Sequence, residues 1–270
     1  MRKIIRRIIF IMAVGIFLFA GYNVYKIYVE YAAAEDEYTE LSKYATEISG
    51  NGTTEAHLQD SGSDGEEDYP VGTPGVDYPN MQIDFKSLIS ENKQFVGWLI
   101  VRSVGISYPV AQADDNDYYL HHTFDGTANS NGCVFLDANN SSELTDMNSF
   151  IYGHNMKNGT MFGSLKKFYK EDGIYEIDPY FYVYTKDYVY KYKIYSYYTV
   201  APHSDTYSYL DTAAQYKKYE ELVLGRSIKD CGVEVSTHAP TLTLSTCSGS
   251  GASKKRFVVH GIKTGQYRYN

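Results

Sequence analysis

The chain has 270 residues, 33 acidic against 25 basic side chains, and a formal net charge of −8. That balance excludes a phosphate-binding surface built on positive charge, because outside the N-terminus the basic clusters are short: Lys166-Lys167, Lys217-Lys218 and Lys254-Lys255-Arg256. Nucleic acid is not an expected partner. Three cysteines are too few for a disulfide framework, and their odd number leaves at least one thiol free or paired with another molecule.

Residues Ile8 to Val24 carry no charge and are mostly apolar, and Arg2, Lys3, Arg6 and Arg7 precede them. The stretch is long enough for a bilayer span, and the basic tip keeps the N-terminus cytoplasmic and sends the rest of the chain outside. A cleaved signal peptide has the same layout, but this stretch exceeds a usual signal core and no small-x-small site follows it. Residues 1–29 therefore read as a cytoplasmic tip and an uncleaved membrane anchor. Glu30 to Ile48 can continue as a polar, helix-compatible stalk. Residues 49–80 are rich in Gly, Ser, Asp, Glu and Pro and have little to bury, so 30–80 reads as an extracellular stalk and flexible acidic linker.

From 81 to 270 the pattern is that of a mostly β domain, with strand signals at turn-bounded intervals. The candidates are Gly97 to Val101, Ile106 to Val110, Cys133 to Leu136, Ser149 to Tyr152, Tyr180 to Tyr184, Tyr188 to Val200, Leu242 to Thr246 and Phe257 to Ile262. In Tyr188 to Val200 the period is two, with Tyr188, Tyr190, Tyr192 and Ile194 on one face and Lys191 and Lys193 on the other. Helices are predicted over Asp84 to Ser90, Asp114 to Leu120, Met161 to Tyr169 and, the longest after the anchor, Asp211 to Leu224, capped by Asp211 or Thr212. The 29 tyrosines read as packing residues of strands, and none is taken as a site.

The chemistry concentrates at strand ends. Cys247 closes the alternating run Thr241-Leu242-Thr243-Leu244-Ser245-Thr246-Cys247, and the Ser- and Gly-rich loop Ser248 to Ser253 follows it. A thiol attacks as its thiolate and needs a base or cation close by. His154, at the end of Phe150-Ile151-Tyr152-Gly153-His154, is the general acid/base candidate. Arg256, nine positions after Cys247, opens the next apolar run with a cation that cannot lose its proton, which suits an oxyanion. Cys133, in an apolar run, reads as structural, as does His260. Cys231 has no clear role. His121-His122 lacks a companion ligand pattern, so neither metal nor cofactor is expected. A papain-like pairing of Cys133 with His260 lacks the Cys-Trp helix context. A wall-associated adhesin or haem-binding module with a Tyr-rich strand surface and a structural Cys247 is a further alternative.

Three separate segments, Ser149-Phe150-Ile151-Tyr152-Gly153-His154-Asn155, Thr243-Leu244-Ser245-Thr246-Cys247 and the downstream Arg256, in that order behind an anchor, resemble the sortases, cysteine transpeptidases of Gram-positive bacteria. The resemblance covers about residues 83 to 265 and is closest to class B. It rests also on Val96-Gly97-Trp98-Leu99, Asp117-Tyr118-Tyr119-Leu120, Gly132-Cys133-Val134-Phe135-Leu136-Asp137 and the helix inserted before the cysteine strand. It implies a closed eight-stranded β-barrel with an N-terminal helix. It also implies His154, Cys247 and Arg256 as catalytic residues, and Asn116, Leu120 and Ser245 as lining for the substrate groove. The implied partners are exported proteins bearing a C-terminal sorting signal, cleaved after threonine through a thioester, and a peptidoglycan amine that receives the acyl group at the outer membrane face. The loop Ser248 to Ser253 departs from the acidic or aromatic residues that many class B members carry there.

Overall fold

The computed structural model describes residues 2–48, 71–235, 239–247 and 255–269. The apolar N-terminus is the start of one long helix, α1 (Arg2–Ser42), whose large side chains from Ile4 to Val29 are exposed. It is long and apolar enough to cross a membrane. The far end of the same helix docks on the folded domain, burying Ala34 and Leu41 and setting Tyr38 edge-on to Tyr108 at 4.7 Å. Glu37 Oε1 accepts from the Asp125 amide (2.9 Å), and Glu30 takes a hydrogen bond from Asn129 Nδ2 on its carbonyl (3.0 Å) and one from the Ser130 hydroxyl on its carboxylate.

Strand β1 (Ala45–Glu47) then pairs with β2 (Met81–Ile83), so the stalk ends hydrogen-bonded to the domain. Of the stretch expected to be a linker, residues 49–70 lie outside the described residues. Residues 71–80 pack down, with Tyr78 buried against Tyr184 and Tyr267 and Tyr184 Oη donating to the Pro79 carbonyl (2.5 Å). Helix α2 (Phe85–Glu91) follows, capped by Asp84, whose carboxylate accepts from the Ser87 amide (2.9 Å).

Eight strands form the barrel: β3 (Phe95–Val101), β4 (Ile106–Ala111), β5 (Phe135–Leu136), β6 (Asn148–His154), β7 (Tyr180–Tyr184), β8 (Tyr188–Val200), β9 (Thr241–Cys247) and β10 (Arg256–Arg268). They close in the order β10-β8-β7-β3-β4-β5-β6-β9. The β4–β5 and β6–β9 pairs are parallel and the rest antiparallel. The alternation read in the sequence fills the interior: Leu99, Val110, Ile151, Val183, Ile194, Leu242, Leu244 and Val259 join one buried cluster.

Several predicted elements differ in extent, the helix expected over Met161 to Tyr169 among them, which is a 3-10 turn followed by a four-residue helix. The strand from Cys133 is paired only at Phe135 and Leu136, because the Cys133 amide turns aside to the Tyr119 carbonyl (3.0 Å). The helix from Asp114 is only a 3-10 turn over Tyr118–Leu120, since Asp115 Oδ1 takes the amides of Asp117 and Tyr118 (2.8 Å each) into a side-chain turn. Strand β10 runs past Ile262 to Arg268, keeping its partners on β8 through two register shifts. A 3-10 turn (Phe162–Lys166) leads into α3 (Lys167–Lys170), and α4 (Ile174–Ile177) precedes β7. Helix α5 (Ala213–Arg226) is inserted between β8 and β9 and begins with a reciprocal capping box of Thr212 and Gln215. It covers the outer face of β8 and β10 with Tyr219 and Val223, against Tyr195, Tyr198 and Val258.

Candidate active site

The parallel pairing of β6 and β9 decides the site. Tyr152 is registered with Ser245, Gly153 with Thr246, and His154 with Cys247, so the two strands end side by side at the His154 and Cys247 positions. On the other side of β9, Val258 of β10 is registered with Ser245. In an antiparallel pair the numbers of partners have a constant sum, here 503, and extending that register two positions beyond the paired residues would set Arg256 opposite Cys247. His154 and Cys247, 93 positions apart in the sequence, thus share one edge of the barrel. They also share one face, because Phe150, Tyr152 and His154, Thr243, Ser245 and Cys247, and Arg256, Val258 and His260 alternate with the interior residues Ile151, Leu244 and Val259.

The surroundings of His154 favour its neutral form. Burial lowers its pKa from the ordinary histidine value, partly opposed by the Leu120 carbonyl, and His121 adds repulsion. Its Nε2 is buried and has no hydrogen-bond partner among the described residues. A neutral ring with a free nitrogen beside the Cys247 position can take a thiol proton.

Arg256 is half-buried and forms no ion pair among the described residues. Its guanidinium carbon lies over two aromatic rings instead, 5.6 Å from the centroid of Tyr207 and 6.0 Å from that of Tyr152. One further bond ties the cysteine and arginine strands: Thr246 Oγ1 accepts from the buried Phe257 amide at 2.8 Å.

Of the three residues expected to line a groove, Leu120 stands beside His154 through its carbonyl. Asn116 is half-buried, and its Oδ1 accepts from the Ala138 amide (2.8 Å), which holds the turn before Leu120 onto the chain after β5. Ser245 is fully buried, its hydroxyl hydrogen-bonded to Tyr207 Oη (2.8 Å). Tyr152 and Tyr207 were not singled out by the sequence. The signal for Tyr152 is its place two residues before His154 on the same strand face, whereas Tyr207 comes from a 3-10 turn (Asp205–Tyr207) that only tertiary folding brings here. The loop Ser248 to Ser253 lies outside the described residues.

The other candidates stand apart. Cys133 is fully buried on the chain entering β5, and burial pushes its thiol well up. His260 is fully buried, bonded through Nδ1 to Thr243 Oγ1 (2.8 Å), with its pKa pushed down to about 3 by burial. Strands β5 and β10 are separated by β6 and β9 in the barrel, so Cys133 and His260 do not form a pair. Cys231 is half-buried, beneath the Tyr175 hydroxyl that donates to its carbonyl (3.1 Å).

The sortase-domain family profile matches residues 99–264, which takes in every barrel strand in whole or in part. The chain belongs to the sortase family of cysteine transpeptidases, and within it to class B. It is 34% identical to sortase B of Listeria monocytogenes over 183 residues, covering 66% of this chain and 73% of that protein. The sortase B structure of Clostridium perfringens superposes with a TM-score of 0.62 at 29% identity, covering 67% of this chain and 99% of that one. A Staphylococcus aureus sortase B–substrate complex superposes with a TM-score of 0.63 at 26% identity, covering 67% and 84% of the two chains.

Proposed function

We propose that this sortase cleaves a C-terminal sorting motif of exported proteins after a threonine and transfers the acyl group to a peptidoglycan amine. His154, Cys247 and Arg256 are the catalytic residues of this reading. The Cys247 thiol gives its proton to the neutral His154 and its sulfur bonds to the threonine carbonyl carbon. The carbonyl oxygen becomes an oxyanion that the guanidinium of Arg256 stabilises. His154 returns the proton to the leaving amine as the C–N bond breaks, which leaves a thioester. An amino group of a wall precursor or cross-bridge then attacks, gives its proton to His154, and displaces the cysteine sulfur. The observation that supports this most is the register that pairs His154 with Cys247, with Arg256 opening the strand on the other side of β9.

The same reading makes Asn116 and Leu120 contacts of the sorting peptide, Leu120 by its nearness to His154, while Ser245, buried on the strand face of Cys247, supports the groove from beneath through Tyr207. The substrate complex of the S. aureus relative supports a peptide substrate here. Residues 1–29 act as a cytoplasmic tip and single-pass anchor and 81–270 as the catalytic domain outside the cell, with the extracellular segment 30–80 joining the two and packing on that domain through residues 30–48 and 71–80. Tethering keeps the enzyme where exported proteins and wall precursors meet and raises their effective concentration.

The test uses the full-length chain in detergent with fluorogenic peptides carrying sorting motifs, with and without an amine acceptor. Cleavage that the acceptor accelerates, lost in Cys247→Ala, is the expected result. Cleavage that survives Cys247→Ala would reject the reading.

A further inference from the structure

Asp137, just after β5, is 1% exposed, and among the described residues no cation lies within ion-pair distance of it. Burying a carboxylate without a counter-charge is costly, so its partners carry the explanation. Oδ2 accepts from Tyr152 Oη (2.9 Å) and Tyr209 Oη (3.0 Å), and Oδ1 from Tyr209 Oη and the Asn139 amide (2.9 Å each) and from Asn139 Nδ2 (3.1 Å). The ring of Tyr152, pinned by this bond, is one of the two over which Arg256 lies, 6.0 Å from its centroid. The other ring, Tyr207 at 5.6 Å, is pinned by Ser245. A carboxylate placed directly on Arg256 would fix it equally well, but would occupy its N–H fork and cancel its charge. Aromatic faces attract the cation and leave the in-plane donors free. A phenol that donates to a carboxylate also has a more electron-rich ring.

We propose that Asp137 is a positioning residue for the sortase reaction: through Tyr152, and alongside Tyr207 held on Ser245, it balances and orients Arg256 at one ring's remove, leaving the guanidinium free for the oxyanion. This rests on the reading of Arg256 given above. Asp137 itself touches neither substrate nor thiol and acts only through the arginine.

The test is a double-mutant cycle in the full-length chain. Tyr152→Phe keeps the ring and removes the bond to Asp137, and Asp137→Asn removes the charge. Each is made alone and on an Arg256→Ala background, with folding followed by thermal melting and slow rates read by mass spectrometry of cleaved peptide. In the native background, loss of arginine alignment should lower kcat about tenfold with KM within about twofold, a fraction of what deleting an oxyanion donor costs. On the Arg256→Ala background the same changes should move the residual rate by less than about twofold. Equal losses in both backgrounds, a rise in KM with kcat unchanged, or no loss at all would overturn the proposal. If Asp137→Asn does not fold, Tyr152→Phe carries the test, since it removes one hydroxyl and no packing. An Arg256→Ala enzyme as fast as the native one would overturn the oxyanion reading itself, and this inference with it.

Discussion

Thr246→Val should weaken the junction between the cysteine and arginine strands without touching either residue. The Thr246 hydroxyl accepts the Phe257 amide at 2.8 Å, in a position where Thr246 is 1% and Phe257 5% exposed. Valine has nearly the same shape, so packing survives, but the buried N–H loses its acceptor. An unsatisfied buried donor costs roughly 1–3 kcal/mol. For a domain of this size a loss of about 2 kcal/mol corresponds to a fall of about 4–8 °C in melting temperature. Because Phe257 follows Arg256 and Thr246 precedes Cys247, the loosened contact adjoins the proposed nucleophile and its cation, and kcat should fall with stability. Thr246→Ser, which keeps the hydroxyl, should recover most of both. Thermal melting by circular dichroism and peptide turnover measure the two effects. A Thr246→Val protein that melts within a degree of the native one and turns over normally would refute the reasoning.

Three other outcomes are expected. Arg256→Lys should keep the fold and lose about a hundredfold in kcat/KM, because an ammonium point charge cannot reproduce the guanidinium fork; near-normal turnover would count against Arg256 as oxyanion stabiliser. Gly153→Ala places a Cβ 2.7 Å from Cγ of the buried Phe162 ring, next to His154, so it should cost roughly 1–3 kcal/mol by overpacking and lower activity through displaced His154. An unchanged melting curve would show that Phe162 can yield. His260 is held neutral by burial, its pKa at about 3 against an ordinary 6.5, so its stability contribution is fully present above pH 6.5 and is lost as the pH falls toward 3. Between pH 7 and pH 5 that loss is about 2 kcal/mol. Glu220, pushed up to about 6, is common to both proteins, so comparing denaturant unfolding of the native chain and His260→Phe isolates the term. Parallel pH profiles for the two would disprove it.

The barrel was legible because its strands obey local rules. In β8 the alternation of tyrosines with Lys191 and Lys193 reports a half-buried strand directly, and the predicted and observed spans coincide at Tyr188 and Val200. The start of α5 was likewise legible as a cap at Asp211 or Thr212, and it is Thr212 that caps it. What local rules do not carry is competition for backbone groups. Asp115 draws the amides that a helix from Asp114 would use, and the Tyr119 carbonyl draws the Cys133 amide from the β5 ladder. The cysteine, histidine and arginine stood out as reactive types at strand ends. Their surroundings did not, because Asp137, Tyr152, Tyr207 and Ser245 meet only when β5, β6, β9 and the turn before α5 are folded together. Of the two tyrosines among 29 that lie against Arg256, Tyr152 is marked only by its place two residues before His154, and nothing in the sequence distinguishes Tyr207 from those that fill the core.

The central claim is that acyl transfer passes through a thioester on Cys247. Mass spectrometry of the full-length chain, quenched in acid during turnover of a sorting peptide without an acceptor, tests it most directly. The account predicts a mass increase equal to the peptide fragment ending in threonine, mapped after digestion to the segment containing Cys247, removed by hydroxylamine and absent from Cys247→Ala. An adduct on Cys133 or Cys231, or peptide cleavage with no hydroxylamine-sensitive adduct at any time point, would contradict it.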